Sequence, residues 1–229
     1  MPVASASERE LAAVLKIPAT KTEFRMPRFD ATLDPESFVT ELLPELFEPY
    51  CELWPRFSDV DLTIAVELAG EGGGAWTLVL SDLDLDVAKG CKSNALVTLK
   101  GETKFWGPFL AELEGWYEKA ERFRKKSDDW QLPAKARLTN KRLNALERVK
   151  GVIDVTLTDT PNPGEQVAIQ VRFNGADPAK QGALVVQMGF DELIVGLSEH
   201  GAFKRLVKSG AVKVSGDVGL TLKLAGAFV

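Results

Sequence analysis

The stretch Val60-Asp61-Leu62-Thr63-Ile64-Ala65-Val66-Glu67-Leu68-Ala69-Gly70-Glu71-Gly72-Gly73-Gly74-Ala75-Trp76-Thr77-Leu78-Val79-Leu80 decides how the chain is to be read. Val60, Leu62, Ile64, Val66 and Leu68 alternate with polar or small residues, and Trp76, Leu78 and Leu80 alternate again after the turn from Glu71 to Gly74. A period of two places those side chains on one face of a pleated strand, so the segment is predicted to be a β-hairpin with one buried face. Its glycines lack the lysine and following helix of a phosphate loop, which leaves them the work of a turn. Leu83, Leu85 and Val87 alternate with Asp82, Asp84 and Asp86, and a short strand follows over Leu96 to Leu99, so a four-stranded meander is expected. Period-two spacing puts the three aspartates together on one strand face; with leucine and valine opposite, this reads as a solvated face and not a calcium site.

Working outward, residues 1–34 are punctuated by proline and form an N-terminal arm. Asp34-Pro35 is a helix cap followed by proline at the first helical position. Phe38, Leu42, Leu43, Leu46, Phe47 and Tyr50 then recur at helical spacing, predicting a helix to about Leu53 that is bent near Pro44 and Pro49. Residues 104–126 carry Phe105, Trp106, Phe109, Leu110, Leu113, Trp116, Tyr117 and Phe123, an apolar helical face broken by Gly107-Pro108 and Gly115. Residues 127–136 read as a linker, and Thr139 can cap a helix reaching Val149. The order of elements then begins again. Ile153, Val155 and Leu157 alternate, as do Val167, Ile169, Val171 and Phe173, and then Leu184, Val186 and Met188. Asp191 is predicted to cap a helix, Gly210 to end another, and two strands, Val212 to Ser215 and Leu220 to Leu224, to close the chain. The fold class expected is α+β, with antiparallel twisted sheets covered by helices on one face, duplicated as units 35–126 and 137–229.

Four segments carry a family resemblance. Gly210-Ala211-Val212-Lys213-Val214-Ser215-Gly216-Asp217-Val218-Gly219-Leu220-Thr221-Leu222-Lys223-Leu224 resembles the end of sterol carrier protein type 2 domains. Trp76-Thr77-Leu78-Val79-Leu80, with Leu85 to Gly90 and Asn94 to Leu99, resembles the central sheet of the same family. The resemblance covers most of 58–110 and 150–224. It implies a lipid-binding cavity between a twisted sheet and its helices, serving fatty acids, acyl-CoA or sterols.

The composition narrows the alternatives. The chain has 229 residues, 27% of them charged, and a net charge of −5, so no global positive field exists to hold nucleic acid. Cys51 and Cys91 are the only cysteines and have no C-x-x-C spacing, and no stretch approaches the roughly 18 apolar residues of a membrane span; a reduced cytoplasmic setting is expected. His200 is the only histidine, at a helix end where its charge would suit the dipole. With no G-x-S-x-G elbow and no second histidine, no catalytic residue, metal site or cofactor is expected.

The functional expectation is intracellular binding and carriage of an apolar lipid by enclosure, without catalysis. The ligand site is expected in the second unit, lined by Val171, Phe173, Val186, Met188, Leu193, Leu197, Phe203, Leu206, Leu220 and Leu222. The alternative is a structural or protein-interaction module that keeps the fold without a cavity. Phe105, Trp106, Phe109, Trp116 and Tyr117 beside Arg122, Arg124, Lys125 and Lys126 would suit transient contact with an anionic membrane surface.

Overall fold

In the computed structural model, which describes residues 28–47, 61–82, 84–92, 94–126, 140–159, 166–177, 179, 183–198 and 202–227, the hairpin forms as its alternation requires. Strand β1 (Leu62–Ala69) pairs antiparallel with β2 (Gly74–Ser81), Val66 opposite Trp76, so the even-numbered side chains share one face. Gly72 in the turn has φ +70, a conformation open to glycine at no steric cost. Strand β3 (Asp84–Lys89) pairs with β2, and its Leu85 and Val87 join the Trp76 face while Asp84 and Asp86 stand exposed opposite. Asp82 lies in the connecting turn with φ +51, so the aspartates do not form one strand row.

The expected meander is corrected at β4 (Val97–Glu102), which pairs parallel with β1 on the side away from β2. To get there the chain crosses the odd-numbered face. The Thr77 hydroxyl donates to the Gly90 carbonyl at 2.6 Å and accepts the Lys92 N–H at 3.0 Å, and Thr77 and Ala65 beneath the crossing are fully buried. Alternation fixes which face a side chain takes, but not which strand lies beside it.

The second series supplies β5 (Gly151–Leu157), β6 (Val167–Phe173), β7 (Ala183–Met188) and β8 (Lys213–Gly216). Strand β5 pairs antiparallel with β6 and parallel with β7, β8 closes antiparallel on β7, and β4 joins β6. One eight-stranded sheet results, in the order β3-β2-β1-β4-β6-β5-β7-β8. The α+β class holds; the sheet is mixed, with two parallel pairs, and not wholly antiparallel.

Helix α1 begins at Pro35–Ser37, widens into a π-helical turn over Phe38–Leu42, and continues over 43–47. The Asp34 carboxylate accepts the Ser37 N–H at 2.9 Å and caps it. The wide turn falls directly before Pro44, which has no N–H for the carbonyl one turn back, so the helix passes the proline by re-phasing. Its expected continuation to Leu53, most of the arm and the 127–136 linker lie outside the described residues.

Helix α2 (Trp106–Lys126) is entered through a 3-10 turn, Thr103–Phe105, and runs unbroken. Gly107-Pro108 sit in its first turn, where a missing N–H has no partner to lose, so the predicted break is absent. Helix α3 is Asn140–Leu146; α4 is Phe190–Ser198, with Asp191 inside its first turn instead of capping it; α5 is Ala202–Ser209, ended by Gly210 at φ +79.

The last predicted strand is a helix. Helix α6 (Val218–Ala227) starts where the Asp217 carboxylate accepts the Leu220 N–H at 3.1 Å. A five-residue L-x-L-x-L run fits either period. Asp217 as a cap is the local signal that favoured the helix, which puts Leu220 inside and Leu222 outside.

The helices cover the even-numbered side chains of β1, β2, β7 and β8 and the odd-numbered ones of β3, β4, β5 and β6, which register makes one continuous apolar face. Phe38, Leu42, Trp76 and Leu110 pack one cluster there; Leu143, Leu157, Val186, Met188 and Leu220 belong to the other.

Candidate apolar ligand site

Across the middle of the covered face, Val66, Leu99, Val171, Ile153 and Leu184 stand in register on β1, β4, β6, β5 and β7. Leu184 is buried, but Val66, Leu99, Val171 and Ile153 are only half-buried, and so are Ile169 and Val155 beside them. Central strands on a helix-covered face are where aliphatic side chains are ordinarily most enclosed. Here enclosure is complete on the flanks instead, at Trp76 and Leu110 on one side and Val186, Met188 and Leu220 on the other. The result is a strip of aliphatic surface on the helix-covered face; α2 and α4, from the two halves of the chain, touch each other.

Polar groups are kept to the opposite face. Lys100 pairs with Glu67, the Gln170 amide donates to Asp154 at 2.8 Å, and the Arg172 guanidinium donates to Gln170. Each of these residues is on the strand parity that turns away from the strip, so the strip itself carries no ionisable side chain from β4, β5 or β6. Such a surface can hold hydrocarbon, and it offers no group from those strands to move a proton.

The predicted lining residues divide. Val171 lies in the strip. Phe173, Val186, Met188 and Leu220 are buried in close-packed core, and Leu193 and Leu206 are half-buried against it. The side chain of Leu197 is outside the described residues. Phe203 and Leu222 are corrections: they are 43% and 69% exposed, Phe203 standing beside Gly196 of α4 and Leu222 rotated by helical geometry away from Leu220. Leu99, Ile153, Val155 and Ile169 were not predicted to line the site. Their signal was present, since Ile153 and Val155 alternate with Leu157 just as Ile169 and Val171 alternate with Phe173.

The reactive side chains offer little. The Cys91 thiol is pushed up from its ordinary pKa by partial burial and then by the nearby Glu67 carboxylate, so it stays protonated and is a poor nucleophile. Cys51 and His200 lie outside the described residues, among which no group of three or more His, Cys, Asp and Glu is placed to hold a metal ion. On α2, the Trp106 indole N–H donates to the Leu33 carbonyl at 2.8 Å and its ring meets Phe38 edge-on at 5.2 Å, so this aromatic anchors the chain and does not face outward alone. The side chains of Trp116, Tyr117 and the basic residues near the end of α2 are outside the described residues. No described helix is long and apolar enough to cross a membrane.

No family model matches the chain, and no curated protein matches it. Among solved structures, a protein described as "UbiJ-SCP2 Ubiquinone synthesis protein" is similar at 11% identity, covering 86% of this chain and 93% of its own, with a TM-score of 0.27. At so loose a superposition nothing about ligand or activity follows from the likeness.

Proposed function

We propose that the protein binds an apolar lipid such as a fatty acid, acyl-CoA or sterol along the strip of Leu99, Val171, Ile153, Val155 and Ile169, and carries it without making or breaking bonds. The observation that supports this is the half-burial of aliphatic side chains at the centre of the covered face, where close packing would otherwise be expected. A hydrocarbon chain laid there would complete the layer, each methylene removed from water contributing about 0.8 kcal/mol. The absence of ionisable groups from the strip on β4, β5 and β6 fits a role of enclosure.

Native mass spectrometry of freshly purified protein, paired with titration of a fluorescent fatty acid, tests the reading. Binding is expected in the wild type. Val171→Trp, which adds bulk over the strip, should weaken it by about tenfold or more while stability changes by less than about 1 kcal/mol, because an open strip accepts bulk that a packed core does not. A loss of about 1 to 3 kcal/mol with no bound lipid in either protein would make the strip ordinary packing and favour a structural or interaction module.

A further inference from the structure

The described residues expose six large apolar side chains, and four of them, Phe203, Val207, Val218 and Leu222, fall within the consecutive elements α5, β8 and α6. Val218 and Leu222 are the most exposed of the six, at 68% and 69%. They stand four residues apart on α6, so they project from one side of a helix whose other side is seated by Leu220 and Leu224 against the core. A helix apolar on both faces is ordinarily buried on both; here the outer one is not. On α5, Phe203 and Val207 are likewise four apart, and Lys204 and Lys208 follow them around the helix.

The charge of the same segment is unlike that of the chain. Residues 202–227 hold five basic side chains, Lys204, Arg205, Lys208, Lys213 and Lys223, against the single acid Asp217, in a protein whose net charge is −5. Lys204, Lys208, Lys213 and Lys223 are all exposed, Lys213 on the parity of β8 that turns away from the helices. None of these four forms an ion pair with an acid among the described residues.

We propose that the exposed sides of α5 and α6 form a docking face for an anionic lipid surface. Short apolar pairs ringed by long, flexible lysines suit a headgroup layer, into which the apolar tips insert while the ammonium groups meet phosphates. The lysines supply the long-range attraction, and the apolar pairs supply the part that salt does not screen. This inference stands apart from the lipid-carriage reading, because docking requires no ligand on the strip.

Vesicle flotation tests it with the full chain. The protein should float with vesicles of phosphatidylcholine containing about 30 mol% phosphatidylglycerol at low salt, float poorly with phosphatidylcholine alone, and be partly released at about 0.5 M salt. The double variant Lys204→Glu, Lys208→Glu should weaken binding by about tenfold or more, and Val218→Ser with Leu222→Ser should lower it and leave what remains fully salt-sensitive. Circular dichroism checks that both variants keep the fold, which their exposed positions predict. Wild type that stays with the soluble fraction overturns the proposal and assigns the face to a protein partner; flotation of both folded variants equal to wild type overturns it as well. Fluorescent fatty-acid titration without vesicles reads the strip separately, so the two ideas fail independently.

Discussion

Around β1 the sheet places an antiparallel partner, β2, on one side and a parallel partner, β4, on the other; around β5 it places β6 and β7 in the same senses. The halves part company in how that shared layout is closed. In the first, α1 and α2 close over one large aromatic, Trp76, which is 2% exposed and packed with Phe38, Leu42 and Leu110. In the second, α6 lowers Leu220 directly onto the backbone of Gly151, where an added Cβ would come within 2.5 Å of the leucine side chain. The connections differ too. Thr77, a sheet residue, pins the crossing from β3 to β4 from below, whereas Asn174, in a left-handed turn at φ +51, reaches outward to the Leu146 and Val149 carbonyls at the end of α3. The same strand arrangement can therefore be sealed by bulk on the sheet or by bulk on the helix, provided the facing position supplies the complementary shape.

The sharpest way to break this comparison is to remove the bulk from the first half. Trp76→Ala should cost about 3 to 5 kcal/mol in urea unfolding, since a buried indole is lost and a cavity opens between β2 and two helices. A cost under about 1 kcal/mol would mean that the first half is not organised around this ring. In the second half the complementary experiment adds bulk. Gly151→Ala should destabilise by about 1 to 3 kcal/mol, and combining it with Leu220→Ala should cost less than the two single changes added together, because the second substitution makes room for the first. Strict additivity would show that α6 is not seated on β5.

The smallest expected effect concerns the cap of α1. The Ser37 N–H holds the Asp34 carboxyl below its ordinary pKa. Asp34→Ala should cost about 1 kcal/mol at neutral pH. Because the folded pKa is the lower one, this stabilisation is present above the unfolded value of about 3.9 and disappears as pH falls through the folded value. The gap between wild type and variant in thermal unfolding should accordingly close in acid; a gap independent of pH would show that the carboxylate does not act as the cap.

Much of the local structure was legible. The alternation at Leu62 to Leu68, Trp76 to Leu80, Ile153 to Leu157 and Val167 to Phe173 assigned each strand its apolar face, and Asp34-Pro35 marked a helix start. Three local signals were misread: Gly107-Pro108 lie at a helix entrance and not at a break, Asp191 lies inside the first turn of α4 and does not cap it, and Asp217 caps a helix where a strand was expected. The candidate site was less legible. Alternation grouped Val171 with Phe173, yet the first is half-buried in the strip and the second is buried in the core.

The sequence by itself determined which residues share a face, where most helices and strands lie, and that the chain is α+β, because periodicity and capping act between residues a few positions apart. Only the tertiary structure decided that β4 and β7 run parallel to β1 and β5, that Leu220 turns inward while Leu222 does not, and that Leu99, Val171 and Ile153 remain half-covered. Those outcomes depend on hydrogen bonds and packing between segments distant in the chain, and no local pattern records which distant segment will lie alongside or on top.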